Sequence, residues 1–469
     1  MSGRGGLPLR LGVLTERVTP GLVDEVVEVT GAREVRRRML PARAVVYFVL
    51  GLALFSVADS LCPPGYRWLL RSLTTEWREL PAVVLPGSSA LTKAGQRLGV
   101  NPLRLLFERT RGCWPGRGIR GGSRSVGGWW PGTPPASRWR TRPRTPRRSP
   151  RSARAGHPQL QLLTLIECGT HAVLDAAFDG VANSTEHALA RRVLASLSEG
   201  MLVLADRNFC GHELWSLAAG TGADLVWRVR AGLIFAPVTE LPDGSFLSVA
   251  PTRAQCQRRG QARRAGRELT EPVTGHTVRI IDDALTVHAA DGTTRTEPFR
   301  LITTLLDPEV APAAEVAAVY SQRWEAETGY GEFKTRLRGA QVVLRWKSPD
   351  LVDQELFAFL TVSQALTALR TQAARRAGLD PDRVSFTLTL PLARDHAGRT
   401  AAQRPGTLAR ARTRAITDLV AEPLPARRHR HVERINKPPR NTFRTNKPGH
   451  FRPESTITYT ITMRTHQPS

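Results

Sequence analysis

Four polar residues of different chemistry recur at helical spacing around position 327 of this 469-residue chain. In Tyr320-Ser-Gln-Arg323-Trp-Glu-Ala-Glu327-Thr-Gly-Tyr-Gly-Glu-Phe-Lys334, a helix turning about 100° per residue gathers Tyr320, Arg323, Glu327 and Lys334 within a sector of roughly 60°. Glu325 and Glu332 point elsewhere on the same helix. One carboxylate set among two cations and a phenol suits a metal ion held beside a phosphate, with Glu327 as metal ligand and Arg323 and Lys334 as phosphate clamps. The plainer alternative is a solvated helix face laced by i,i+4 pairs.

The run resembles the Tyr-x2-Arg-x3-Glu-x6-Lys signature of insertion-sequence DDE transposases, the group founded on the fourth insertion-sequence family. All four positions match, and Trp324 follows the arginine. A second match is Asp206-Arg207-Asn208-Phe209, which resembles the Asp-Arg-x-Phe motif around that family's second catalytic acid. The resemblance implies an α/β protein: a ribonuclease-H-like catalytic domain with a β-rich insertion, preceded by an all-α N-terminal DNA-binding domain. It implies metal-dependent cleavage and strand transfer of insertion-sequence ends, in cut-and-paste transposition. Mg²⁺ or Mn²⁺ in a two-metal site is the implied cofactor, with Asp206 and Glu327 as catalytic metal ligands. Tyr320, Arg323, Lys334 and Arg207 are the implied DNA contacts. The partners are double-stranded DNA, as element ends and target, and a second copy in a synaptic homodimer, with no membrane and a cytoplasmic, nucleoid-associated location.

Asp206 has a local reading as well. Met201-Leu-Val-Leu-Ala-Asp206 is a short apolar strand with a carboxylate at its C-terminal end, where open α/β sheets place their sites. Such an Asp also serves as the cap of a following turn.

The whole chain agrees with a polyanionic partner. Its net charge of +26 points first to nucleic acid and second to an anionic membrane surface. The apolar run 44–58 is short for a bilayer span, which needs about 20 residues, and reads as a buried helix. Five cysteines, none in a Cys-x-x-Cys pair, suggest neither a disulfide framework nor a zinc site and fit a reducing cytoplasm.

The elements that must carry these residues follow from periodicity. Residues 1–110 read as a helical DNA-binding domain that ends in a helix pair. Ser88-Ser89 caps the first helix, Gly99 stops it, and Asn101-Pro102 opens the second, either as a DNA-reading helix-turn-helix or as plain packing. The catalytic domain reads as 158–400, with a hairpin at 159–178, a helix at 186–197, the Asp206 strand, a helix at 213–219 and a strand at 223–230. A β insertion spans 231–298, a strand follows at 300–306, Pro312 opens the signature helix, and 351–370 is an apolar helix. Residues 401–469 read as a flexible basic arm.

The first acid of the triad is missing. It should end the strand before the hairpin, yet from Cys113 to His157 there is no Asp or Glu, and there are eleven arginines. The segment 111–157 is either a basic DNA-binding linker or a frameshifted stretch. The genetic code favours the second. Shifted by two bases, Trp129-Trp130-Pro131 encodes Val-Ala, because Trp has only the codon TGG, and Gly132-Thr133 yields Asp if the Gly codon ends in G. The hidden text is thus a hydrophobic strand ending in an acid near Thr133. In the same frame 137–149 reads as Pro-Val-Ala-Asp-Ser-Pro-Ala-Asn-Pro-Ala-Ala-Phe with suitable wobble bases, similar to what the family carries after its first catalytic Asp. Asp175 and Asp179 are poor substitutes, since Asp175 alternates within a hairpin strand. Without those eleven arginines the net charge is about +15, still basic.

Two other functions compete. A non-catalytic DNA-binding remnant would explain the missing acid. A metal-dependent nuclease unrelated to transposition would share Asp206 and Glu327 but gives no reason for Tyr320, Arg323 and Lys334 in register.

Overall fold

A computed structural model describes residues 12–36, 38–56, 66–73, 85–112, 125–131, 137–138, 159–181, 183–230, 233–267, 273–288, 294–339, 343–400, 405–425 and 458–463. Thr133, the shifted-frame text at 139–149 and the basic tail over 426–457 lie outside them. The protein is mixed α/β with a helical N-terminal region, and it forms two compact units: 1–204 with 220–223 and 322–424, and 205–219 with 224–321 and 425–469.

The first unit is organised by one long helix. Helices α1 (Pro20–Val29), α2 (Ala42–Leu54), α3 (Tyr66–Leu73), α4 (Ser88–Leu98) and α5 (Asn101–Thr110) form the N-terminal region. The apolar run expected as a buried helix is α2, whose side chains are buried from Ala44 to Leu54. The helix pair also forms, and Gly99, at φ +69°, takes the left-handed turn that ends α4. Its N-cap is Gly87, with no side-chain hydrogen bond, in place of the expected serine cap.

These helices do not stand apart as a domain of 110 residues. They share one apolar core with a later 28-residue helix (Pro349–Arg376), as Phe107 against Phe357 illustrates. The Gln354 amide of that helix donates to the Gly95 carbonyl at 2.8 Å, and the Gln364 amide clamps the Val173 backbone at 2.6 and 3.0 Å.

The first unit's sheet has the order β4-β3-β1-β5, from β1 (Ser125–Pro131), β3 (Gln159–Glu167), β4 (Val173–Gly180) and β5 (Met201–Ala205), with the two-residue β2 (Ser137–Arg138) also on β3. The expected hairpin is β3 and β4, and β1 pairs antiparallel to β3 from Gly127↔Glu167 to Pro131↔Leu163. α6 (Glu186–Val193) follows, capped by Thr185.

The second unit holds α7 (His212–Ala219) and a sheet ordered β6-β10-β9-β8-β7, with β11 on β9. Its strands are β6 (Asp224–Arg228), β7 (Thr239–Glu240), β8 (Phe246–Pro251), β9 (Gly275–His288), β10 (Thr294–Thr303) and β11 (Thr458–Met463). Two expectations need correction here. The insertion is not purely β: α8 (Arg253–Arg264) interrupts it, and its arginine- and glutamine-rich sequence carries no apolar stripe to announce it. The strand expected at 300–306 is the end of the longer β10, so the insertion boundary placed at 298 falls inside a strand.

Later elements differ from the sequence reading as well. The segment opened by Pro312 is not one helix. It divides into α9 (Ala313–Ser321), α10 (Arg323–Gly331) and a π turn (Glu332–Leu337), before α11 (Pro349–Arg376) and α12 (Phe386–Thr400). Residues 405–421, expected in a flexible arm, form α13 (Pro405–Ala421), which buries Ala415, Ile416 and Leu419. Apolar spacing within an arginine-rich sequence is what the composition concealed. Among the described residues no helix is long and apolar enough to cross a membrane.

Candidate active site

The strand end bearing Asp206 is built by a tight turn. After β5, the Phe209 N–H donates to the Asp206 carbonyl at 2.9 Å, and the Phe209 ring is fully buried and pins the turn. One Asp206 carboxylate oxygen accepts the Arg207 N–H at 2.8 Å, the turn-capping bond expected of a strand-ending Asp, while its side chain stays partly exposed. Arg230 secures the turn from outside, donating to the carbonyls of Arg207 at 3.1 Å and Asn208 at 3.0 Å. Arg207 itself is exposed.

Tyr320 is tied to that turn. It is 8% exposed, its ring stacks on Phe299, and its hydroxyl donates to the carbonyl of Ala205 at 3.3 Å. Its contact is therefore with the backbone immediately before Asp206, within the second unit.

The rest of the signature lies in the first unit, where the assumed uniform helix fails. α9 ends at Ser321, and the π turn widens the helix to i→i+5 bonding, as in the Arg338 N–H to Phe333 carbonyl bond of 3.1 Å. The single 60° sector is thus broken by a helix end before Arg323 and by a change of pitch before Lys334. Within α10, Arg323 and Glu327 do face each other. Both side chains are under a tenth exposed, and they pair at 3.4 Å, looser than the 2.7–2.9 Å typical of a charge-assisted bond. The Arg323 guanidinium also lies over the Trp324 ring at 5.0 Å. The Lys334 ammonium sits 5.7 Å from the Tyr330 ring centre, and burial, with the Arg338 cation beside it, lowers its pKa.

Sequence reasoning missed the cluster behind α10. His171, held at φ +64° in the β3–β4 turn and almost fully buried, has Nε2 2.9 Å from Glu325 and Nδ1 3.0 Å from Glu332. Arg370 of α11 donates to Glu332 at 2.8 Å and to the Thr170 carbonyl at 3.0 Å. Burial raises the Glu332 pKa, but Arg370 and His171 outweigh it and hold the carboxyl at about 2. α10 meets this turn at Gly329, where an added Cβ would stand 3.0 Å from the His171 Cβ. Glu325 and Glu332, seven residues apart, were the only signal: a second polar face needs a cationic partner. The partners are Arg370, 38 residues from Glu332, and His171, over 150 residues from both acids, beyond the reach of local periodicity.

The donor chemistry of Asp206 and Glu327, hard carboxylate oxygens without thiolate or imidazole, fits Mg²⁺ or Mn²⁺ better than zinc. It is an incomplete fit. Among the described residues no group of three or more acidic, His or Cys side chains could hold a metal ion. Asp175 is engaged by Arg111 and accepts the Ser196 hydroxyl at 2.6 Å, and Asp179 lies 3.7 Å from Arg192. Neither is free to replace a missing ligand. Burial pushes the Cys168 thiol up to about 12 and Cys210 to about 11, so both stay protonated at neutral pH.

Comparison with known proteins agrees with the signature. Residues 8–108 match the family model for the insertion element 4 transposase N-terminal region, and residues 134–363 match the model for the transposase DDE domain. The chain is 27% identical over 400 residues, 80% of each protein, to the transposase InsG for insertion sequence element IS4 of Escherichia coli (strain K12). The structure of a piggyBac transposase synaptic complex with hairpin DNA aligns over 88% of this chain and 85% of that one at 12% identity, but its TM-score of 0.42 is too low to bear on the fold. Two matched regions in order, with a relative that spans both, place the signature in its family context: the chain belongs to the insertion-element-4 family of DDE transposases.

Proposed function

We propose that this DNA transposase binds the double-stranded ends of an insertion element through a ribonuclease-H-like domain whose catalytic acids are Asp206 and Glu327, and that the chain as given lacks the first acid of the triad. The observation that carries the reading is the pairing of two motifs: an Asp-Arg-x-Phe turn ending a buried strand, and the Tyr, Arg, Glu and Lys signature. The strand order β4-β3-β1-β5, with three antiparallel strands and an acid directly after β5, supports a ribonuclease-H-like core.

Each residue has a role in keeping with its surroundings. Divalent metal ions held by Asp206 and Glu327 would stabilise charge on the entering and leaving oxygens of a phosphodiester. Arg323, paired loosely with Glu327, would turn its planar guanidinium to a phosphate. Burial lowers the Lys334 pKa, so an incoming phosphate gains a cation already partly stripped of water. Tyr320 fixes the backbone before Asp206, and Arg207 adds an exposed phosphate contact. Mg²⁺ or Mn²⁺, a synaptic homodimer and a nucleoid location complete the reading.

The first acid is the exception. Its place is just beyond β1, and the sequence from Cys113 to His157 offers no carboxylate. That favours a second reading for this polypeptide, a DNA-binding remnant that occupies element ends without cutting them. The test is binding and Mg²⁺-dependent nicking of linear duplexes that span the DNA flanking the coding sequence. Preferential binding to those flanks supports the reading, and equal affinity for unrelated duplex rejects it.

A further inference from the structure

We infer that α8, the helix that breaks the β insertion, is a docking surface for the phosphate backbone of duplex DNA. This rests on the proposed function and adds a contact that neither the signature nor the metal site supplies. Between Asp243 and Glu268 the chain carries no acid, while Arg253, Arg258, Arg259, Arg263, Arg264 and Arg267 crowd one helix and its end. Like charges three to five residues apart repel one another, as Arg259, Arg263 and Arg267 do, and an anionic ligand relieves that repulsion.

The outer face of α8 is mostly polar. At about 100° per residue, Arg264, Gln257, Gln261 and Arg258 fall in one arc of roughly 120°, with the small Ala254 among them, and all five are exposed. Arginine and glutamine around a single methyl group make a surface suited to phosphate and sugar oxygens.

The inner face fixes the helix in place. The Thr252 hydroxyl caps it, accepting the Gln255 N–H at 3.3 Å, and the buried Gln255 accepts the Thr274 N–H at 2.9 Å. Two further contacts reach α7, which begins just after the Asp206 turn. Arg253 pairs with Glu213 at 2.8 Å, and the Cys256 sulfur lies 3.0 Å from His212 Nε2. A basic face anchored to the helix that leaves the catalytic turn gives DNA held at Asp206 a continuous electrostatic track.

The experiment is fluorescence anisotropy of the full chain on duplex DNA across a salt series, with the variant R258Q/R264Q beside the wild type. Each lost phosphate contact lowers the slope of log K against log salt by about 0.9, so the double variant is expected to lose about 2 units of slope while keeping its preference for element ends. The single variants R258Q and R264Q, each expected to lose about one unit, decide the matter if the double variant does not fold. Lysine replacements are expected to retain the slope. An unchanged slope in folded glutamine variants overturns α8 as a DNA surface and leaves the proposed function standing. A wild type that binds no duplex overturns both.

Discussion

β1 and β5 are neighbours in the same sheet, and under the proposed function each leads to a place where the reaction would use a carboxylate. β5 is Met-Leu-Val-Leu-Ala and runs into Asp206, with Phe209 buried beneath the turn. β1 is Ser-Val-Gly-Gly-Trp-Trp-Pro, and no acid follows it before Glu167. The backbone of β1 nevertheless pairs with β3 over five residues. Ladder hydrogen bonds are made by the main chain whatever the side chains, so a sheet position can be filled without the chemistry it exists to carry. Two glycines and a terminal proline make β1 the weaker strand, and under the proposed function the absence of a carboxylate after it makes it the silent one.

The largest expected effect comes from equalising the two strands. Restoring an acid by reading 113–157 in the shifted frame is expected to raise Mg²⁺-dependent strand transfer from background to a measurable rate, and D206N in the restored chain is expected to return it to background. A restored chain that stays active with D206N breaks the comparison, because β5 would then carry no catalytic acid.

Next come the polar clusters that hold each signature helix within its own unit. E332Q leaves Arg370 buried without its carboxylate and His171 with Glu325 alone, and is expected to cost about 3 kcal/mol in urea unfolding at pH 7. The folded pKa of Glu332 lies below the ordinary 4.5, so this stability is present above 4.5 and lost as pH falls toward about 2. The gap between variant and wild type should close over that range. In the second unit, R279M removes the cation beside Asp243, which is partly exposed and still accepts from Ser245 and from the Ala313 N–H at 2.8 Å where α9 begins, and a smaller loss of about 1–2 kcal/mol is expected.

Glu355 of α11 behaves in the opposite sense. Burial raises its pKa to about 7, against the pull of Arg345, so ionising it penalises the fold as pH rises from 4.5 through 7. E355Q is expected to be more stable than wild type at pH 8, by about 1–3 kcal/mol, with the gain absent below pH 4.5. The smallest effect belongs to Y320F, which removes one 3.3 Å bond to Ala205 and is expected to cost about 1 kcal/mol in thermal unfolding. A much larger loss would mean that Tyr320 does more than steady β5.

Much of this was legible beforehand. The β3–β4 hairpin, β5, the buried α2 and the α4–α5 pair follow from apolar spacing and from Gly99 and Pro102. What escaped was of two kinds. α8 and α13 lie in arginine-rich sequence that reads as solvated chain, and α13 becomes a helix only because Ala415, Ile416 and Leu419 find a core. The His171 cluster and the break between α9 and α10 depend on partners distant in sequence, as the Gly329 approach to His171 shows. The uniform sector drawn through Tyr320, Arg323, Glu327 and Lys334 assumed one helix, and that helix is interrupted twice.

The central claim is that this polypeptide has kept its DNA site and lost its cutting acid. Its most direct test is a strand-transfer assay on element-end duplexes, with the chain as given and the shifted-frame chain purified side by side and their DNA binding measured in the same samples. Equal end binding, with joining by the shifted-frame chain alone, is the expected result. Joining by the chain as given, at a rate comparable to the shifted-frame chain, would contradict it.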